Sequence, residues 1–420
     1  MDHFALNNGE LFAEDVSLAA IAAEVGTPVY VYSRATLSRH ARVFRAALSA
    51  LPSVHIAFAV KSNPNLAVLR LLANEGYGAD VVSEGEMNRA LAAGIPAEDV
   101  VFSGVGKTRR ELTAAVKAGI GQFNLESEEE GVELAEIAAG LGLKAACALR
   151  VNPDVDARTH AKISTGKAEN KFGVAYDRAA GIYARLSALP GLDMRGLAVH
   201  IGSQISDLEP SRQAFIKMGA LMEEIRAAGQ KVTHMDLGGG LGVPYKASDV
   251  LPTPEDYGAM VASVAKDWGV TLMFEPGRVI TGNSGVLVTE VVRVKQGTVN
   301  PFVVVDAAMN DLARPAMYDA WHDFAAVKPS GKTVTANIVG PICESSDTFA
   351  MGRQIDEVVA GDLAIFRTAG AYGATMANTY NSRALVPEVM VDGDKWAIVA
   401  ERIEPATILA AETVPDWLKA

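Results

Sequence analysis

The chain has 420 residues, more than one domain ordinarily holds, and 49% of them are apolar, enough to bury large cores. With 38 Lys and Arg against 50 Asp and Glu the net charge is −12 and no basic cluster stands out, which argues against nucleic acid or anionic membrane as a partner. The two cysteines, Cys147 and Cys343, lie far apart and suit a reducing cytoplasmic location. No stretch of about 18 uncharged apolar residues is present for a membrane span, and the start lacks the basic and apolar regions of a signal peptide.

A turn at Asn7-Asn8-Gly9 opens the chain, and a short helix over 17–25 is stopped by Gly26. Residues 28–33 read as a strand and 35–51 as a long amphipathic helix. A regular rhythm follows. Strands are predicted at 54–60, 79–82, 99–102, 121–125, 144–151, 194–199, 232–237 and 270–274. Helical patterns occupy 66–75, 84–93, 109–118, 127–141, 176–189, 210–228 and 254–268. Eight alternating units predict an α/β fold, a (β/α)8 TIM-like barrel over 35–280, with a doubly wound open sheet as the competing arrangement. Beyond about 280 the texture changes. Strands at 286–295, 301–306, 333–339, 362–367 and 396–402 have no long helix between them, so 281–420 is a second, mostly β domain. Residues 1–34 contribute to it, because no barrel slot remains for the strand at 28–33.

Barrel enzymes carry their catalytic groups at the C-terminal ends of the strands. Strand one ends at Lys61, strand two is followed by Ser83, and strand six ends at His200. Strand seven runs into Gly238-Gly239-Gly240-Leu-Gly242, and strand eight into Glu275-Pro-Gly277-Arg278. Taken singly, a lysine belongs on the surface and a histidine in the core; their convergence on one rim is what points to a site. Glycine loops of this kind let backbone N–H groups approach a phosphate. The dinucleotide fingerprint fails because Val243 stands where a glycine is needed, and Gly104-Val-Gly-Lys107-Thr is no Walker A motif because Val101 replaces its first glycine. A lysine able to form a Schiff base, a phosphate cradle and an acid for a ring nitrogen together describe a pyridoxal 5'-phosphate site. In the second domain Arg314 and Tyr318 follow a strand, as do Cys343 and Glu344, and Tyr372 is flanked by glycines. Alone, Cys343 reads as a small hydrophobe and Tyr372 as a turn aromatic.

The segments Ala57-Phe-Ala-Val-Lys61-Ser-Asn-Pro-Asn65, His200-Ile-Gly-Ser-Gln204, Gly238-Gly-Gly-Leu-Gly242, Glu275-Pro-Gly-Arg278, Arg314-Pro-Ala-Met-Tyr318, Cys343-Glu-Ser345 and Gly370-Ala-Tyr-Gly373 resemble, in order, the motif set of the diaminopimelate decarboxylase family. That family is one of the fold type III pyridoxal phosphate enzymes. The resemblance implies decarboxylation of meso-2,6-diaminopimelate to L-lysine and carbon dioxide. It implies Lys61 as the Schiff-base lysine, His200 stacked on the cofactor ring and Glu275 at the pyridine nitrogen. Ser203, Gly239, Gly240 and the backbone at Gly277 and Arg278 become phosphate ligands. Arg278, Arg314 and Tyr318 become the substrate carboxylate grip, Glu344 the partner of the distal amino group, and Cys343 the proton donor. Tyr372 would touch cofactor and substrate. It further implies a homodimer in which Cys343 and Glu344 enter the partner's site. Ser346 departs from the family pattern, where glycine is common. The rival expectations are a relative acting on ornithine, arginine or carboxynorspermidine, which lack the complete distal amino acid, and a cofactor-binding relative without activity.

Overall fold

The computed structural model describes residues 2–156 and 170–419. Ser38–Pro244 together with Ser248–Ile280 make one compact unit. Its strands are Val54–Ala59, Gly78–Val81, Val100–Phe102, Gln122–Leu125, Ala145–Asn152, Leu192–Ala198, His234–Asp236 and Thr271–Phe274. All pair in parallel. The last returns to the first with Leu272 opposite Val54 and Phe274 opposite Ile56, and the fourth meets the fifth with Phe123 opposite Cys147. The eight strands therefore close into a barrel, and the open-sheet alternative is excluded. A two-residue strand that the sequence did not suggest, Val174–Ala175, adds to the edge of the fifth.

Serine, threonine or asparagine starts several of the intervening helices. The side chains of Asn65, Ser83, Thr108, Ser127 and Thr253 each accept a hydrogen bond from a first-turn N–H, and Thr108 with Glu111 and Thr253 with Asp256 form reciprocal capping boxes. Ser83, a candidate for the catalytic rim, is thus a helix cap. The first barrel strand also stops one residue early: Lys61 stands in a single 3-10 turn, Val60–Ser62. Between strands and helices the packing is aromatic. Phe274 stands edge-on to Phe44 at 6.4 Å and to Tyr257 at 6.2 Å, and each ring so buried contributes about 1.5–3 kcal/mol. Lys107 of the false Walker segment is buried and donates to Gly104 O at 2.7 Å, Asn124 O at 2.9 Å and Glu130 Oε1 at 2.5 Å, a structural tie.

The second unit comprises the chain up to Leu37, Tyr245–Ala247 and the chain from Thr281 onward. Its main sheet runs in the order Thr348–Asp356, Thr333–Val339, Phe302–Val305, Gly285–Lys295, Val29–Ser33, Glu388–Asp392, Lys395–Ala400. The strand Val29–Ser33 lies inside this sheet, antiparallel to Gly285–Lys295 and parallel to Glu388–Asp392, as expected for a segment with no place in the barrel. All five of its residues are buried. The opening turn belongs to a small three-stranded sheet of Phe4–Asn7, Glu10–Ala13 and Val16–Ser17 that the sequence pattern did not reveal. Among the described residues no helix is long and apolar enough to cross a membrane.

Candidate active site

At the C-terminal end of the barrel strands a cavity of about 350 Å³ opens, and Lys61, Ser103, Asn124, Arg150, His200, Asp236 and Glu275 line it. Three of the residues expected from sequence, Lys61, His200 and Glu275, share its walls. Lys61 Nζ donates to Asp80 Oδ2 at 2.5 Å, and the Asp80 side chain has no solvent exposure. Asp80 comes from the second strand, where a carboxylate interrupts an otherwise apolar run.

Behind the cavity lies a buried polar network. Asn124 Nδ2 donates to Asp236 Oδ2 at 2.9 Å and lies 3.2 Å from Glu275 Oε1. The Gly238 N–H donates to Asp236 Oδ1 at 2.9 Å, and Gln122 Nε2 donates to Asn124 Oδ1 at 2.9 Å, fixing the amide's orientation. Burial, with the charges of Asp236 and Asp80 beside it, pushes the Glu275 carboxyl well above the usual range; burial also raises Asp236. Two such buried acids side by side favour a neighbouring cation. His200 is the reverse case. Burial, then the Arg150 and Lys61 cations, pull its pKa down to about 3, so the ring is neutral near pH 7. Its Nδ1 accepts the Gly239 N–H at 3.2 Å.

The glycine turn is required by space. A Cβ on Gly239 would stand 2.1 Å from Glu275 O, and one on Gly240, whose φ is +112°, 2.2 Å from Gly202 O. Arg278 Nη2 donates to Ser203 Oγ at 3.2 Å, so these two expected phosphate ligands meet; Gly277 packs on Ala59 and Ser62. The rim carries Arg150, held to Glu126 Oε1 at 2.8 Å and lying 4.7 Å from the Phe172 ring centre, with Lys171 beside it. Asp80, Ser103, Asn124, Arg150, Asp236 and Lys171 were not singled out as site residues from sequence. Most are polar residues inside buried strands, and that mismatch was the available signal.

The remaining expected residues belong to the second unit. Arg314 begins the helix Arg314–Tyr318 and is buried, while Tyr318 is half-buried. Cys343 and Glu344 are exposed on a loop stapled by Asp347, which accepts the N–H of Met309 at 2.7 Å and of Ile342 at 2.6 Å. The Cys343 N–H donates to Asn381 Oδ1 at 3.2 Å, and Ser346 Oγ donates to Glu344. The serine that departs from the family pattern thus touches an expected substrate residue. Tyr372 is half-buried with φ +55°, next to Gly373, where a Cβ would meet Ala369 O at 2.5 Å.

The barrel residues fit pyridoxal phosphate. Asp80 Oδ1 is a buried acceptor without a hydrogen-bond partner among the described residues, the raised acid pair suits a cationic ring nitrogen, and the glycine turn leaves room for a phosphate. The family model "Pyridoxal-dependent decarboxylase, pyridoxal binding domain" matches residues 35–282, which makes this barrel that of a pyridoxal-dependent decarboxylase, a class that the lysine and the acid pair at its rim fit. A diaminopimelate decarboxylase of Zymomonas mobilis is 51% identical over 99% of both chains, and one of Vibrio cholerae is 47% identical over 99% of both. The crystal structure of diaminopimelate decarboxylase from M. jannaschii in co-complex with L-lysine superposes with a TM-score of 0.94, at 34% identity over 99% of both chains. The chain belongs to the diaminopimelate decarboxylase family.

Proposed function

We propose that the chain removes one carboxylate of meso-2,6-diaminopimelate as carbon dioxide and releases L-lysine, with pyridoxal 5'-phosphate as cofactor. The observation that carries this is the placement of Lys61 and the Asp236–Glu275 pair on one cavity, in a chain 51% identical to a diaminopimelate decarboxylase over nearly its whole length. When bound, the cofactor supplies an electron sink for the pair left as the Cα–carboxylate bond breaks. Lys61 Nζ would hold it covalently and yield to the substrate amine. Asp80 keeps Nζ in place. Glu275, backed by Asp236 and Asn124, would keep the pyridine nitrogen protonated. Neutral His200 offers an aromatic face without adding a positive charge. Ser203, Gly239, Gly240, Gly277 and Arg278 would bind the phosphate.

The unreacting end of diaminopimelate carries a carboxylate and an ammonium. Arg314 with Arg278 and Tyr318 suits the first through paired N–H donors, and Glu344 the second. Cys343 Sγ would return a proton to Cα after carbon dioxide leaves, and Tyr372 would contact cofactor and substrate. Cys343 and Glu344 are exposed on the single chain, which supports a homodimer in which each chain supplies them to its partner's site. Two free cysteines support a reducing, cytoplasmic setting.

Carbon dioxide release is the test. With purified, cofactor-loaded protein, meso-diaminopimelate should be decarboxylated far faster than ornithine, arginine or carboxynorspermidine. Equal or faster release from one of the others would overturn the assignment.

A further inference from the structure

Within the second unit, Arg314 is held by a histidine that the family motifs do not include. Arg314 is 6% exposed and His322 1%. Arg314 Nη1 lies 2.8 Å from His322 Nε2, and His322 Nδ1 lies 2.9 Å from Arg367 O. A carbonyl oxygen only accepts, so Nδ1 carries the proton. Nε2 then presents a lone pair, and Arg314 donates to it. The guanidinium is also stacked over Tyr245, 4.6 Å from its ring centre, and Tyr245 stands edge-on to His322 at 5.3 Å. His322 is pinned in turn. Arg353 Nη1 donates to its carbonyl at 2.5 Å while lying 3.5 Å over Trp321, and Lys246 lies 4.4 Å from that same ring.

The choice of partner has a consequence. A carboxylate in the place of His322 would orient Arg314 but neutralise it. A neutral imidazole orients one N–H and adds no negative charge of its own. We propose that His322, as its Nδ1–H tautomer, is a positioning residue that aims Arg314 at the substrate carboxylate, and so sets preference for ligands that retain that carboxylate. This rests on the assignment of Arg314 as a carboxylate-binding residue.

Two inhibitors separate the effects: L-lysine, which retains an amino-acid end, and 1,5-diaminopentane, the same chain without a carboxylate. In the holoenzyme His322→Ala should raise KM for diaminopimelate and Ki for L-lysine about tenfold or more. Ki for the diamine should stay within about twofold, and kcat should fall less than KM rises. His322→Gln, whose Oε1 can accept from Arg314, should recover most of the lysine affinity. Should the alanine variant fail to fold, His322→Phe keeps a ring against Tyr245 while removing the acceptor, and the same selective loss is expected. Equal weakening of both inhibitors, no weakening of either, or a glutamine variant as poor as alanine overturns the proposal. Arg314→Lys is measured alongside. If it leaves lysine and diamine affinities in their parental ratio, the assignment of Arg314 falls first, and the role of His322 falls with it.

Discussion

Cys343, as the proposed proton donor, and His200 illustrate two different uses of a side chain's proton. A thiol that returns a proton to carbon governs the chemical step but not cofactor binding. Cys343→Ala should therefore lower kcat by about 10²–10⁴-fold while the near-visible absorbance of the bound cofactor stays unchanged. Stopped-flow and steady-state rates check this, and parental rates would remove Cys343 from the role. His200 works by staying neutral. Its pKa falls from an ordinary 6.5 to about 3, chiefly through burial. Above pH 6.5 both folded and unfolded chains carry it neutral, so it has no effect there. As pH drops below 6.5 the unfolded chain takes up a proton that the folded chain refuses, and stability falls by at most about 1.4 kcal/mol per pH unit until about pH 3. Between pH 7 and pH 5 the parent protein should lose up to about 2 kcal/mol more than His200→Phe, read from urea midpoints of the cofactor-free forms.

Elements carry the site through their ends. The turn after the seventh strand passes so close to the eighth that only glycine fits at 239, because a methyl group there would lie 2.1 Å from Glu275 O. Gly239→Ala forces one backbone away from the other and with it the carboxyl of Glu275. Cofactor affinity should drop tenfold or more in an absorbance titration, with a smaller change in far-ultraviolet circular dichroism. At this scale much was legible in the sequence. Lys61, His200 and Glu275 were found because each ends an apolar run and begins a loop. Asp80, Asn124 and Asp236 were missed because a polar residue inside a strand looks like an interruption, whereas the inward face of a parallel barrel near its rim accepts one when a network satisfies it. The hairpin around Asn8-Gly9 carried its turn signal openly, with φ of +51° and +82°, but its flanking strands are too short for alternation to register. Thr348–Asp356 was hidden by Gly352, Arg353 and Asp356, which blur its alternation. The bond between Ser346 and Glu344 joins neighbours within one loop, and nothing in spacing alone announces it.

For the whole molecule, the proposed shared-site homodimer has a sharp consequence. Lys61→Ala and Cys343→Ala chains, each inactive alone, should regain about a quarter of parental activity when unfolded and refolded together. Half the random dimers are hybrids, and each hybrid has one intact site. Sites complete within a single chain would give no recovery. The second sheet adds a constraint on the order of events during synthesis. Val31 leaves the ribosome well before its two neighbours in the sheet, Val286 and Val389. At about 5–20 residues per second, some 18–70 seconds separate the emergence of Val31 from that of Val389. The barrel sequence is finished in that interval and can fold as it emerges, while an apolar five-residue strand stays without its sheet. A nascent chain stalled between residues 281 and 388 therefore displays a complete barrel sequence and an unsatisfied strand edge, which makes it a natural client for a chaperone that binds extended apolar segments.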